Sequence, residues 1–271
     1  MRSLWTAASG MTSQQQNVDV ISNNLANVNN YGYKKERLEF KSLLYETMKR
    51  ADRDPANPAG RPVNLQVGHG VRPIATSRIF TTGNFQVTDN ALDFAIEGKA
   101  FFAVQRGDIV TYTRDGAFKI SVNEDGTLGI VTSEGLPILN TDGDPVELPE
   151  DVSLERLIVE SNGQLLYMDN NDELQELGTA VEMVQFSNPQ GLEAIGQNLY
   201  ATTPASGAAI SESTGDTLTT SLLRQGALEM SNVQIAEEMV NLIVAQRAYE
   251  LNSRSISTSD DMLNTANNLK R

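Results

Sequence analysis

The chain has 271 residues, 39% of them hydrophobic and 6% aromatic, and its 21 Lys and Arg face 35 Asp and Glu for a formal charge of −14. That length holds one large domain or two small ones, with an apolar share below the usual about 45–50%, so a modest core with polar stretches is expected. An acidic surface opposes nucleic-acid and anionic-lipid binding, and the lack of cysteine excludes disulfides, thiolate metal sites and cysteine nucleophiles.

At the front, Met1-Arg2-Ser3-Leu4-Trp5-Thr6 runs into the polar stretch Thr12-Ser13-Gln14-Gln15-Gln16-Asn17. Neither a signal-peptide core nor a membrane span follows, which reads as cytosolic unless another export route is used. From Leu4 onward a seven-residue beat is visible. Leu4, Met11, Val18 and Leu25 form one column, with Ala7, Gln14, Ile21 and Val28 three residues later. This pattern predicts an amphipathic, coiled-coil-like helix of roughly 25 residues within 1–30. Asn23, Asn24, Asn27, Asn29 and Asn30 are weak helix formers, so its last turns require outside contacts.

Residues 31–79 read as an extended connecting segment. Its basic cluster Lys34, Lys35 and Arg37 fits a solvated or salt-bridged face, and its insertion from Ala51 to Pro62 carries Pro55, Pro58, Gly60 and Pro62. Residues 80–200 read as a small all-β domain. Leu92, Phe94 and Ile96 alternate with polar or small residues, as do Phe118, Ile120 and Val122, the pattern of half-buried strands. Turn dipeptides such as Asp115-Gly116, Asp125-Gly126, Glu134-Gly135 and Asn162-Gly163 punctuate the stretch. Further strands are expected near 157–159, 165–167 and 181–186.

Residues 201–230 look like a return linker, and 231–271 carry a second amphipathic helix of about 35 residues. Ile235, Leu242, Tyr249, Ile256 and Leu263 are spaced by seven. The companion column Met239, Gln246, Ser253, Asp260 and Asn267 is mostly polar, with Ala236, Val240, Ile243 and Ala245 widening the stripe near the start. Ser231 with Gln234 offers a capping box, and Glu237 and Glu238 suit the positive helix end. The fold class is therefore α+β, with terminal helices flanking a small all-β domain.

Tests for chemistry find little. His69 is the only histidine, set between glycines as in a solvated turn. Gly68-His69-Gly70 begins a phosphate-loop pattern, but Pro73 stands where the third glycine is needed. Asp169-Asn170-Asn171-Asp172 lacks calcium-loop spacing and reads as a polar turn. Glu237-Glu238 and Asp260-Asp261 are helix neighbours that diverge by about 100° and do not converge on one bond. No enzyme, metal or cofactor site emerges.

Asn24-Leu25-Ala26-Asn27 with Gly32-Tyr33-Lys34 at one end, and Ser231-Asn232-Val233, Glu237-Glu238-Met239-Val240 and Gln246-Arg247-Ala248-Tyr249-Glu250 at the other, resemble the paired signatures of flagellar rod and hook proteins. Inward, Val71-Arg72-Pro73, Gly83-Asn84, the run Ile96 to Phe102, Thr113-Arg114-Asp115-Gly116, the run Gly191 to Gly196 and Asn198-Leu199-Tyr200 are similar to the distal-rod branch of that family. The resemblance implies a structural subunit of the distal rod, passed through the flagellar export apparatus and located outside the cytoplasm in the basal body. It implies a hollow helical homopolymer that transmits torque, with proximal rod and hook proteins as neighbours and no nucleic-acid or membrane-inserted partner. The expected assembly interface is Leu4, Met11, Val18, Ile21, Leu25, Val28, Ile235, Met239, Leu242, Tyr249, Ile256 and Leu263. The alternatives are a proximal rod or hook subunit and, in another class, an extracellular binding module or adhesin.

Overall fold

A computed structural model describes residues 2–51, 63–122, 127–148, 157–168, 174–213 and 220–269. Most of the insertion from Ala51 to Pro62, the Asp125-Gly126 turn and the segment Asp169 to Asp172 lie outside the described residues. The architecture is α+β: α1 spans Arg2–Ala26, α2 spans Ile235–Asn268, and β-strands occupy the interval between them.

The chain forms two compact units. One comprises residues 1–26, 36–77 and 234–271; the other comprises 27–35 and 78–233. The polypeptide therefore passes between them at 26–27, 35–36, 77–78 and 233–234.

In the first unit α1 packs on α2. Within residues 31–79, expected as an extended connecting segment, the extended chain is paired into strands: Glu36–Ser42 with Val71–Arg78, and Tyr45–Lys49 antiparallel with Leu65–Gly68. Leu38, Pro73, Ile74 and Ala75 line an open groove with Gln16, Asp19 and Val20 of α1, so part of the α1 surface is used by these strands.

The second unit is β-rich. A six-stranded antiparallel sheet runs in the order 193–196, 199–201, 109–113, 101–106, 183–185 and 210–211. Two three-stranded sheets form from 147–148, 128–131 and 119–122, and from 157–159, 164–168 and 174–180. Residues 92–96 are all buried, Asp93 and Ala95 included, so up to the exposed Glu97 the strand Phe94–Glu97 is covered on both faces and is not the half-buried strand that alternation predicts. Leu222–Gln225, within the span expected as a linker, pairs along it with Leu223 opposite Ile96. Ala227–Glu229 likewise pairs with Phe85–Val87. The apolar centre divides into one cluster around Phe94, Phe102, Phe118 and Ile130 and another around Phe101, Phe186 and Tyr200. Phe101 meets Phe80, Phe186 and Tyr200 edge-on at centroid distances of 5.4, 5.5 and 5.9 Å, a geometry that adds to simple burial.

At the N-terminal side of this unit Gly32 takes φ +66°, and a Cβ there would approach the Arg114 carbonyl carbon to 2.6 Å. Both the backbone conformation and the close approach require glycine. Phe101→Ala should lower the unfolding free energy of the β-rich unit by about 3–5 kcal/mol. The exposed Val122→Ala should change it by less than about 0.5 kcal/mol; urea denaturation followed by near-UV dichroism compares the two.

Candidate assembly site

The two helices run antiparallel. The Ser3 and Ser259 hydroxyls lie 3.3 Å apart, a Cβ on Gly10 would stand 2.9 Å from Asn252 Nδ2, and Asn24 Nδ2 donates to Glu238 Oε2 at 3.1 Å. These contacts step by sevens along both helices, which sets Asn17 opposite Ala245. The middle of the seam is thus a column of small and polar residues: Ser3, Gly10, Asn17 and Asn24 against Ser259, Asn252, Ala245 and Glu238. Small side chains let the helix backbones approach closely, at the cost of little apolar burial on the centre line.

This arrangement corrects the C-terminal half of the sequence reading. The companion of the Leu242, Tyr249, Ile256 and Leu263 column is not Met239, Gln246, Ser253, Asp260 and Asn267, all of which are exposed. It is Glu238, Ala245, Asn252 and Ser259, one residue earlier; Glu238, Ala245 and Ser259 are buried. Apolar periodicity could not reveal a column made of Glu, Ala, Asn and Ser. A search for small residues at seven-residue spacing, matched between the two ends, would have found it. The capping box also fails: Gln234 is the N-cap without a side-chain bond, and Ser231 Oγ accepts from the Val233 N–H at 3.2 Å.

Of the twelve expected interface residues, only Ile21 is buried. Leu4, Met11, Val18, Leu25, Val28, Leu242, Ile256 and Leu263 are half-buried, Val28 lying beyond the end of α1. Ile235, Met239 and Tyr249 are exposed. Val18 and Tyr249 meet across a shallow groove also lined by Gln15, Gln246 and Glu250. Val240 and Ile243, expected to widen the inward stripe, face outward with Val244 and Leu251.

The asparagines that weaken α1 as a helix have defined work. Asn24 Nδ2 donates to the Glu36 carbonyl at 2.8 Å while its Oδ1 accepts the Glu36 N–H at 2.9 Å. One amide side chain thereby binds the backbone of the following strand on both its polar edges and also meets Glu238, whose Oε1 accepts from Asn241 at 3.4 Å. Asn30 Nδ2 donates to Asn27 Oδ1 at 2.6 Å where the helix has ended.

Nothing convergent for catalysis appears among the described residues. His69 is exposed, 3.6 Å from Glu46 Oε2, which also pairs with Arg2 at 2.6 Å. Glu182 and Glu212 face one depression with Thr141, Asn162 and Gln164. Burial raises the Glu182 carboxyl above its ordinary value and Glu212 adds to the rise, against a hydrogen bond from Ser211. No group of three or more His, Asp or Glu side chains among the described residues could hold a metal, and no helix is long and apolar enough to cross a membrane.

Residues 4–34 match a family described as flagella basal body rod protein, residues 95–167 the flagellar hook protein FlgE/F/G D1 domain, and residues 224–269 the flagellar basal body rod FlgEFG protein C-terminal family. The chain is 48% identical over 273 residues to the flagellar basal-body rod protein FlgG of Borreliella burgdorferi, covering 100% of this chain and 99% of the other. It is 41% identical to that of Buchnera aphidicola over 262 residues, covering 96% of each, and 36% identical to that of Bacillus subtilis over 271 residues, covering both in full.

Asn24→Ala should remove one hydrogen bond from the buried Glu238 and two from the Glu36 backbone, and cost about 1–3 kcal/mol. Glu238→Ala added to it should cost less than the two separate losses combined, by about 0.5–3 kcal/mol, as read from a thermal-denaturation double-mutant cycle.

Proposed function

The chain belongs to the family of flagellar basal-body rod proteins, and on that premise we propose that it is a structural subunit of the distal rod that polymerises with copies of itself into a hollow drive shaft and is not an enzyme. The observation that carries this reading is the outer face of α2. Ile235, Met239, Val240, Ile243, Val244 and Leu251 are each half or more exposed. Their own chain leaves them uncovered, while the inner seam is satisfied by small and polar groups.

Covering each such side chain is worth about 1.5–3 kcal/mol before ordering costs. Identical subunits packed head to tail with a non-closing rotation give an open helical polymer. In this reading the antiparallel helices act as a coiled-coil-like pair whose flanking columns are completed by neighbouring copies. Eleven of the twelve apolar positions are the proposed interface, Ile21 being covered within its own chain, and the exposed Ile235, Met239 and Tyr249 are the ones most free to be covered. The helices line the tube. The subunit adjoins proximal rod and hook proteins, and it reaches the cell envelope through the flagellar export apparatus.

A hook or proximal-rod subunit is the second reading, favoured by the hook-protein description of the family matched at 95–167. Immunogold labelling of purified basal bodies separates it from the first by position.

Electron microscopy of the concentrated purified chain should show filaments with a hollow core; a particle that stays single at every concentration defeats the reading. Val244→Asp, on the exposed face, should leave the unfolding free energy of the subunit in urea within about 0.5 kcal/mol of the parent and abolish filaments, because assembly would bury an unpaired charge.

A further inference from the structure

Three sequence segments singled out for their family likeness, around Lys34, Gly83 and Arg114, converge inside the β-rich unit on a residue that was not singled out, Glu229. Its Oε1 accepts from Lys34 Nζ at 2.5 Å and from the Gly83 N–H at 2.8 Å, and its Oε2 accepts from Arg114 Nη1 at 3.3 Å. Its backbone carbonyl accepts the Gly32 N–H at 2.8 Å. Lys34 Nζ also donates to the Thr81 carbonyl at 2.8 Å, and Arg114 Nη2 donates to the Gly98 carbonyl at 2.9 Å. The Arg114 guanidinium lies 4.9 Å from the Phe101 ring centroid, and its Nε is buried without a hydrogen-bond partner. Lys34, Arg114 and Glu229 are 0%, 2% and 1% exposed. Of the two readings of the basic cluster, a solvated or a salt-bridged face, Lys34 takes the salt-bridged one, but in the interior: its ammonium is paired with Glu229 and sealed from solvent.

The enclosed balance is two cations and one carboxylate. A buried pair that loses one partner is costly because the remaining charge stays desolvated. Here a single carboxylate serves two cations, and it is supplied by the last strand of the unit, 195 and 115 residues along the chain from its partners. We infer that Glu229 is the closing latch of the β-rich unit: Lys34 and Arg114 are sealed inside only when the polypeptide through residue 229 is in place to supply their shared anion. The inference concerns the folding of one subunit and does not depend on the rod reading.

The surplus cation gives the latch a pH signature. Around it stand Glu229 and Arg114, with Tyr200, Arg78 over the Tyr200 ring, and Glu212 acting on Arg114. Burial lowers the Lys34 ammonium from 10.5 to about 8, Arg114 pushes it the same way, and Glu229 opposes both. Its folded value lies below its unfolded one, so in the window between them the unfolded chain binds more protons. Stability rises with pH across that window, and the gain is lost as pH falls through about 8.

The test uses the full-length chain and amide hydrogen exchange at Phe101 to Val104. At about pH 7, Glu229→Gln should lower protection there by at least about a hundredfold. Raising the pH to about 10, or adding Lys34→Met, should recover part of that loss, since each removes one stranded cation. Lys34→Met alone should flatten the rise in stability with pH. The triple replacement Lys34→Met, Arg114→Met and Glu229→Leu should be protected again at neutral pH. The inference is overturned by parental protection in Glu229→Gln, or by a loss that neither alkaline pH nor Lys34→Met reverses.

Discussion

The constraint on which the first unit depends is the close approach of α1 and α2 along a column too small and too polar to be a conventional apolar seam. Gly10 against Asn252, Ser3 against Ser259 and Asn24 against Glu238 keep the backbones near each other. Leu4, Leu25, Leu242, Ile256 and Leu263 are thereby displaced to the flanks, where they are half-buried. A polar seam pins the relative position of two helices better than an apolar one, because a slip of one residue would leave buried donors and acceptors unmatched. The exposed apolar face of α2 follows from the same geometry, since its inward positions are already taken by Glu, Ala, Asn and Ser.

The second unit answers the same problem with charge. Glu229 binds polar groups from the segment just after α1, and Glu238 binds the last turn of α1 itself. Two carboxylates from the C-terminal third therefore each meet partners contributed by the first forty residues. In both places the family likeness at the chain ends marks interior contacts. A signature motif identifies what a fold requires, and such a requirement can be internal even where the protein's role is to assemble.

Much of the architecture was legible from periodicity. Helix extents came within a few residues because the seven-residue apolar beat and the turn residues agree. Strands at 157–159, 164–168 and 183–185 were visible as short apolar runs between glycine turns. The connector's strands pair with one another and those of the linker pair with distant partners, and neither pairing is marked by apolar alternation. Leu222–Gln225 has a polar neighbourhood in sequence and becomes a strand only beside Phe94–Glu97. The seam column and the Glu229 cluster were illegible for a related reason. Ser, Asn, Gly, Lys and Glu look like surface residues until a remote partner satisfies them, and one sequence does not display which residue will do so.

The four crossings of the chain between its units carry a topological consequence. One nick anywhere between 78 and 233 yields two fragments, each holding a share of both units: α1 stays with one and α2 with the other. Neither fragment can depart until the helix seam parts and the β-rich unit comes open as well. The connectivity therefore ties the integrity of each unit to the other, and gives the molecule a tolerance to backbone scission that a single linker between beads would lack.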